Sequence, residues 1–352
     1  MGDWQTGLLP ASPVNGEAQD QNKSSDPEFQ DPTGVKTKIR SLISQFLDGI
    51  GYSSPAKGDD FDGLLQGMHD QVRELGIPYP EGSKAWYCFK FGGYYANVCL
   101  PRHPLDLRIY IGIITWLALQ IDDMAVKEPT EWSQFVSRFY SGQPQPSPLA
   151  RAWDDYLRRC GTWYEPLVAN FIVLSALNFV NATALVGAEL GSAAWSPTVG
   201  TVRWPYFLRD KEGMSEAYVW FTFPRALYPE IARCVEAVPD MCMYLNFAND
   251  ITSFYKEEME AETDNYMHNM AFADGKDVYQ TLEDVVKEAI AAHRRILLVI
   301  GGNGKEEYCQ AWLEHAMGYA AWHMSMGRYR LHEIGLGESY TDQNGWKVST
   351  RK

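Results

Sequence analysis

The sequence is short of basic charge, of cysteine pairs, of strand signals and of long apolar runs, and each shortage narrows what the chain is. Lysine and arginine number 31 against 45 aspartates and glutamates, for a net charge of −14. A surface that neutralises nucleic-acid phosphates needs basic clusters, so this balance argues against a nucleic-acid partner. It suits a site that gathers divalent cations. The six cysteines, Cys88, Cys99, Cys160, Cys234, Cys242 and Cys309, form no CxxC pair and no zinc-ligand spacing with histidine. Scattered as they are, they read as reduced, buried thiols of a cytoplasmic protein. The first twenty residues lack a basic region followed by an apolar core, so no secretory signal is expected. MGDWQT places Gly2 and Thr6 as a myristoylation signal does, but so short a pattern carries no argument. The longest mainly apolar stretch, Ile109 to Ile121, is about 13 residues and runs into two aspartates, too short to span a bilayer.

Apolar residues make up 45%, including 12 Trp, 20 Tyr and 15 Phe, enough for a large core and for aromatic side chains lining a cavity. Residues 1–35 are rich in Pro, Gly, Ser, Asp, Asn and Gln without apolar period, and read as a disordered or loosely docked arm. From Lys36 the helical period takes over: Ile39, Leu42, Ile43, Phe46, Leu47 and Ile50 follow i, i+3, i+4, i+7 spacing. Long helices are expected at 107–124, 167–190, 229–260, 278–300 and 306–334. Strand-like alternation is confined to short pieces at 199–204 and 346–350. The expectation is a single all-α domain over 36–337, with a polar tail at 338–352.

The strongest local pattern is NFANDITSFYKEEME. Asn249, Ser253 and Glu257 stand at i, i+4 and i+8, on one helix face with about 6 Å of rise per step. An amide oxygen, a hydroxyl and a carboxylate in a row form a hard-oxygen site suited to Mg²⁺. Lys256 stands beside them, able to meet a phosphate as a point charge. A second acidic feature, Asp122 and Asp123, ends the apolar helix 107–124. A helix C-terminus disfavours anions, so an aspartate pair there calls for a cation. On that helix Thr115, Ala118, Leu119 and Asp122 share a face. Trp322 precedes Tyr329 by two helical turns and is expected on the same face of helix 306–334. Phe91, Tyr95, Trp116, Trp220 and Phe221 are better explained as ordinary core. His268, His293, His315, His323 and His332 form no HExxH and read as surface or core residues. GGNGK at 301–305 reads as a turn. Asp154, Asp155, Arg158 and Arg159 read as surface ion pairs, and Glu258, Glu260 and Glu262 as a solvated helix end.

These residues resemble a known family. NDITSFYKE fits the (N/D)Dxx(S/T)xx(K/R)E motif of class I terpene synthases, and IDDMA is similar to the start of their aspartate-rich motif. The likeness is closest to the fungal trichodiene and longiborneol synthase group. YFLRDKEG resembles the segment carrying the diphosphate-sensing arginine, here Arg209. GYAAWHMSMGRYRLHEI resembles the late Arg-Tyr segment, here Arg328 and Tyr329. The resemblance implies a helical bundle around a deep apolar cavity, with a Mg²⁺ cluster of about three ions at its mouth. It implies metal ligation by Asp122, Asn249, Ser253 and Glu257. It implies diphosphate contacts from Arg209, Lys256, Arg328 and Tyr329, with Asp123 accepting hydrogen bonds from Arg328 and Trp322 lining the cavity. It further implies a homodimer and the cyclisation of farnesyl diphosphate. One departure is Val126, where the family's motif has a third acid. A chain-elongating prenyltransferase would share fold and metal but carries two full aspartate-rich motifs. A catalytically silent helical binding protein has only Val126 in its favour.

Overall fold

Helix starts are set by side-chain caps and by prolines that fit only a first turn. The computed structural model describes residues 34–191, 197–302 and 304–337. Among these are fourteen α-helices and no strand: α1 (Val35–Gly49), α2 (Phe61–Val72), α3 (Lys84–Cys99), α4 (Leu105–Ala125), α5 (Pro129–Trp132), α6 (Phe135–Ser141), α7 (Pro148–Arg158), α8 (Pro166–Leu185), α9 (Trp204–Glu212), α10 (Ser215–Phe221), α11 (Val238–Met259), α12 (Tyr266–Asp274), α13 (Val278–Ile300) and α14 (Glu306–Ser325). Ser83 caps α3 through Trp86 N, Ser147 caps α7 through Ala150 N, and Asp277 caps α13 through Tyr279 N and Gln280 N. The all-α expectation holds. Of the expected arm only Gly34 and Val35 are described, Val35 already helical, and the 338–352 tail lies outside the described residues.

α3, α4, α11 and α14 form the centre, with α3 packed along both α4 and α14, and α11 against α13 and α14. The α3 contacts depend on missing side chains. A Cβ at Gly92 would strike the Gly112 carbonyl and Trp116 N, and one at Gly318 would strike the Val98 carbonyl and Cys99 Cα. Because those obstacles are backbone, the helices could not approach this closely with larger residues.

Two helix expectations are corrected, and the one at 167–190 holds with a change of winding at its end. The 229–260 stretch is helical in the α sense only from Val238; two 3₁₀ turns, Ile231–Arg233 and Val235–Ala237, precede it. Pro239 has no N–H and its ring would clash with a preceding turn, so it is tolerated only in the first turn, where it stands next to the first residue, Val238. The 306–334 stretch breaks after Ser325: Met326 is extended, Gly327–Tyr329 is a 3₁₀ turn, and Arg330 is left-handed at φ 56°. α8 continues to Leu190 as a π-turn, Val186–Leu190, whose Gly187 abuts the Val126 backbone. By length and composition Pro166–Leu190 could cross a membrane, and it exceeds the 109–121 stretch singled out from the sequence. Half of its apolar window is buried in the protein.

The described cysteines are all free, five of them buried. Arg158 pairs with Asp154 and Arg159 with Asp155 along α7, as surface pairs.

Candidate active site

The last turn of α4, the middle of α11, the end of α9 and the 3₁₀ turn 327–329 converge on one region. Tyr329 marks the meeting point. Its buried phenol is hydrogen-bonded with Asn249, and it feels the charges of Arg328, Glu257 and Asp122. Desolvation first, then those carboxylates, push it up to about 12. The acidic end of α4 and the polar face of α11 therefore meet near Tyr329, although far apart in sequence.

Asp122 is accessible at the surface of this region but makes no hydrogen bond or ion pair. Desolvation raises its carboxyl, against the pull of Arg328, Arg209 and Lys84 and with the push of Asp123. Asp123 departs from expectation. Its carboxylate is taken by Lys84 at the start of α3, at 2.8 Å to Oδ1 and 2.7 Å to Oδ2, and not by Arg328. Arg328 lies within electrostatic reach of both aspartates, and its buried Nη1 has no hydrogen-bond partner.

On α11, Asn249 Oδ1 accepts a hydrogen bond from Arg209 Nη2 at 3.0 Å, and Nδ2 faces His323 Nε2 at 2.9 Å. Ser253 donates to Glu257, yet desolvation dominates and pushes Glu257 up to about 7. Arg209 donates through Nε to Asp250 Oδ1 at 2.7 Å and through Nη2 to the Asn246 carbonyl at 3.1 Å. Burial opposes the Arg209 charge, but Asp250 more than restores it. Gly213 makes this possible, since a Cβ there would collide with Arg209 Nη1 and Asn246 Oδ1. Lys256 is mostly buried and is held by Glu262 at 2.6 Å, so the acids past Glu257 include its counter-ion.

Four site residues escaped sequence reasoning. Lys84 and Asp250 are ion-pair partners of residues singled out. Glu212, three positions after Arg209, is pushed up to about 7 by desolvation and by the charges of Asp122 and Asp250, despite Arg209. His323 is fully buried; Nδ1 donates to the Tyr319 carbonyl at 2.8 Å, and burial drives the ring down to about 3.

Aromatic side chains pack beneath this polar region. Tyr319 stacks on Trp322 at 5.8 Å, Tyr95 meets Trp322 edge-on at 5.8 Å, and Tyr95 meets Tyr218 at 5.0 Å. Trp322 and Tyr329 are 6.2 Å apart although they do not share a helix, because the turn after Ser325 folds back. Trp322 is fixed by donation from Nε1 to the Phe91 carbonyl at 3.0 Å. Trp116 instead meets Tyr79 and Phe89 edge-on, and Trp220 stacks on Phe171. Both are core.

No group of three or more His, Cys, Asp or Glu among the described residues is arranged to hold a metal ion. The donors gathered here are of another kind, two carboxylates with an amide and a hydroxyl. They fit a hard divalent cation: Asp122 lacks a partner, Glu257 is desolvated with only a hydroxyl and Lys256 to oppose it, and Asp250 Oδ2 is buried and unbonded.

The raised carboxyls make a prediction about the metal-free protein. Glu212 and Glu257 rise from 4.5 to about 7 on folding, so the folded state binds these protons more tightly than the unfolded chain. Their contribution to stability is then full below pH 4.5 and is lost as pH rises to about 7. Melting temperatures of the wild type and a Glu212→Gln/Glu257→Gln variant, measured without divalent metal from pH 5 to 8, should diverge over that window. Parallel profiles would contradict the shifts.

Comparison with known proteins gives one consistent result. The description of the Trichodiene synthase (TRI5) family matches residues 93–348. The chain is 34% identical to "Longiborneol synthase CLM1" of Gibberella zeae, over 89% of this chain and 92% of that protein. It is 36% identical to "Terpene synthase BipA" of Cochliobolus sativus, over 86% and 92%. Among solved structures it is similar in fold to a linalool/nerolidol synthase of Streptomyces clavuligerus, with a TM-score of 0.56 at 14% identity over 77% of this chain and 99% of that one. A hedycaryol synthase in complex with nerolidol gives 0.56 at 12% identity, over 80% and 97%.

Proposed function

Since the chain belongs to the trichodiene synthase family, and is therefore a class I terpene synthase acting on a prenyl diphosphate with a divalent metal, we propose that it ionises farnesyl diphosphate and cyclises the resulting cation to a sesquiterpene. The observation that supports this most is the convergence around Tyr329 of Asp122, Asn249 and Glu257 with Arg328, whose buried Nη1 has no partner.

Asp122 on one side, and Asn249, Ser253 and Glu257 on the other, would hold about three Mg²⁺ ions, which when bound supply Lewis-acid stabilisation of the leaving diphosphate. Arg328 brings an uncommitted N–H to the same oxygens, and Tyr329 a hydroxyl. Arg209 is charged and rigidly held by Asp250, so it meets a diphosphate without reorganising. Lys256 reaches the substrate by exchanging Glu262 for a phosphate oxygen. Asp123, neutralised by Lys84, is free to take Arg328 only if that pair opens. Water must be kept from the allyl cation, and Tyr95, Tyr218, Tyr319 and Trp322 offer apolar faces with π-electron density, worth about 0.5–2 kcal/mol each to a nearby cation. The cytoplasm and a homodimeric state belong to the same reading.

Incubation with farnesyl diphosphate and Mg²⁺, followed by gas chromatography, tests it. A cyclic C15 volatile is expected; a longer prenyl diphosphate, or no turnover of any prenyl diphosphate, would refute it. Trp322→Ala is expected to change the product mixture more than the rate of substrate loss, because the indole contributes wall and π-face but touches no metal donor. An unchanged mixture with lowered stability would return Trp322 to the core.

A further inference from the structure

We infer that His323 is a positioning residue for the metal site: it fixes which end of the Asn249 amide faces the cation. The inference rests on the reading of Asn249 as a metal ligand. Histidine was expected to be incidental here, and the hydrogen bonds say otherwise.

An asparagine side chain has one end that accepts and one that donates, and only the oxygen can bind a cation. The two ends are similar in shape, so an isolated Asn is free to present either. In this structure the neighbours decide. Arg209 can only donate, so the atom it meets at 3.0 Å must be Oδ1. Nδ2 is then the atom facing His323 Nε2 at 2.9 Å, and Nε2 must accept. A neutral imidazole that accepts at Nε2 carries its proton on Nδ1, where the Tyr319 carbonyl takes it at 2.8 Å. Every donor in this chain, from Asn249 through His323 to the backbone of α14, meets an acceptor, and reversing the amide breaks the bonds at both ends. His323 is completely buried beside Tyr319, Trp322 and Tyr329, with ring centroids 4.5, 4.7 and 4.7 Å away, so it has no room to turn. Arg209 alone does not suffice. Its guanidinium is directed at Asp250 as well, and it is a group that meets the diphosphate in the proposed function; Tyr329, also hydrogen-bonded with Asn249, has a hydroxyl that both donates and accepts and so does not choose between the two ends. The lock on Asn249 must then hold from His323.

Two substitutions of similar size separate positioning from packing. In His323→Gln, Oε1 stands near the place of Nε2 and can accept from Asn249. In His323→Asn the shorter side chain can keep the Tyr319 bond but does not reach Asn249. The readout is the Mg²⁺ concentration giving half of the thermal stabilisation seen with Mg²⁺ and inorganic diphosphate, compared with the Mg²⁺ dependence of kcat. Loss of an outer partner of a metal ligand typically costs about 10–100-fold in metal affinity. His323→Asn is expected to raise the Mg²⁺ midpoint by about tenfold or more, with kcat recovering at high Mg²⁺, and His323→Gln to stay within about threefold of wild type. Equal midpoints for the two variants, whether both normal or both raised, would overturn the inference. In an Asn249→Asp chain both ends of the side chain are oxygens, so adding His323→Asn should raise the midpoint by no more than about twofold; a repeat of the full loss would also overturn it. Asn249→Ala separates the premise from the inference. If Asn249→Ala leaves the Mg²⁺ midpoint unchanged, the ligand assignment fails. If Asn249→Ala raises the midpoint and His323→Asn does not, only the positioning role fails.

Discussion

Asp122→Asn is expected to lower turnover of farnesyl diphosphate by about 10²–10³-fold, and Asp123→Asn by much less. The two aspartates are adjacent in sequence, and the structure separates them by partner. Asp123 is already neutralised by the ammonium of Lys84 on both oxygens. Asp122 has no hydrogen-bond partner, is desolvated, and lies within reach of the charges of Arg328 and Arg209. Replacing a carboxylate by an amide keeps an oxygen but removes the charge, which is what a divalent cation requires in a low-dielectric site. The Asp122 variant should therefore also need more Mg²⁺, whereas the Asp123 variant should keep the wild-type Mg²⁺ dependence. Steady-state rates across a Mg²⁺ series, with the C15 volatile quantified, decide the matter. Equal losses in the two variants would dissolve the division of labour. The position after them explains why one strong ligand has to serve here. Val126 stands where a further acid is expected, one residue beyond the end of α4 and against Gly187 of the π-turn.

What the sequence revealed was what helical geometry alone determines. Asn249, Ser253 and Glu257 lie on one face because their spacing requires it, once the segment is a helix. α13 was delimited to the residue because its apolar period is clean and Asp277 caps it. α3 was missed as a helix because it is buried on nearly every side between α4 and α14, so WYCFKFGGYYANVC shows no polar face. The break after Ser325 was missed because it is a backbone event: Arg330 adopts a left-handed conformation that side-chain type did not announce. The partners of the site residues were the least legible. Lys84 reaches Asp123 and His323 reaches Asn249 only through tertiary packing, and no local spacing encodes either contact. Glu212 and Asp250 had a weak signal, as acids beside the arginine and asparagine already singled out. A desolvated acid next to a metal motif is itself a pointer.

Arg328→Met is expected to abolish most turnover, by about 10²–10³-fold, without loss of folded-state stability in the metal-free protein. A guanidinium buried with an unbonded Nη1 is held at a cost, since an unsatisfied buried donor forfeits about 1–3 kcal/mol. Burial opposes the charge itself, but Tyr329, Asp122 and Asp123 more than restore it, so what is missing is the hydrogen bond and not the counter-charge; Asp122 is accessible and can be solvated or protonated when the arginine is gone. Methionine fills much of the same volume and needs no partner. A donor left unbonded before substrate arrives is one whose bond the substrate completes, and a diphosphate oxygen is the acceptor available. Arg328→Lys should fall between, because an ammonium restores the charge but not the forked pair of donors. Melting temperature without metal, and single-turnover loss of farnesyl diphosphate at saturating Mg²⁺, separate the two effects. Activity that merely tracks a fall in melting temperature would make Arg328 a structural residue. A variant that ionises substrate at the wild-type rate would remove it from the reaction altogether.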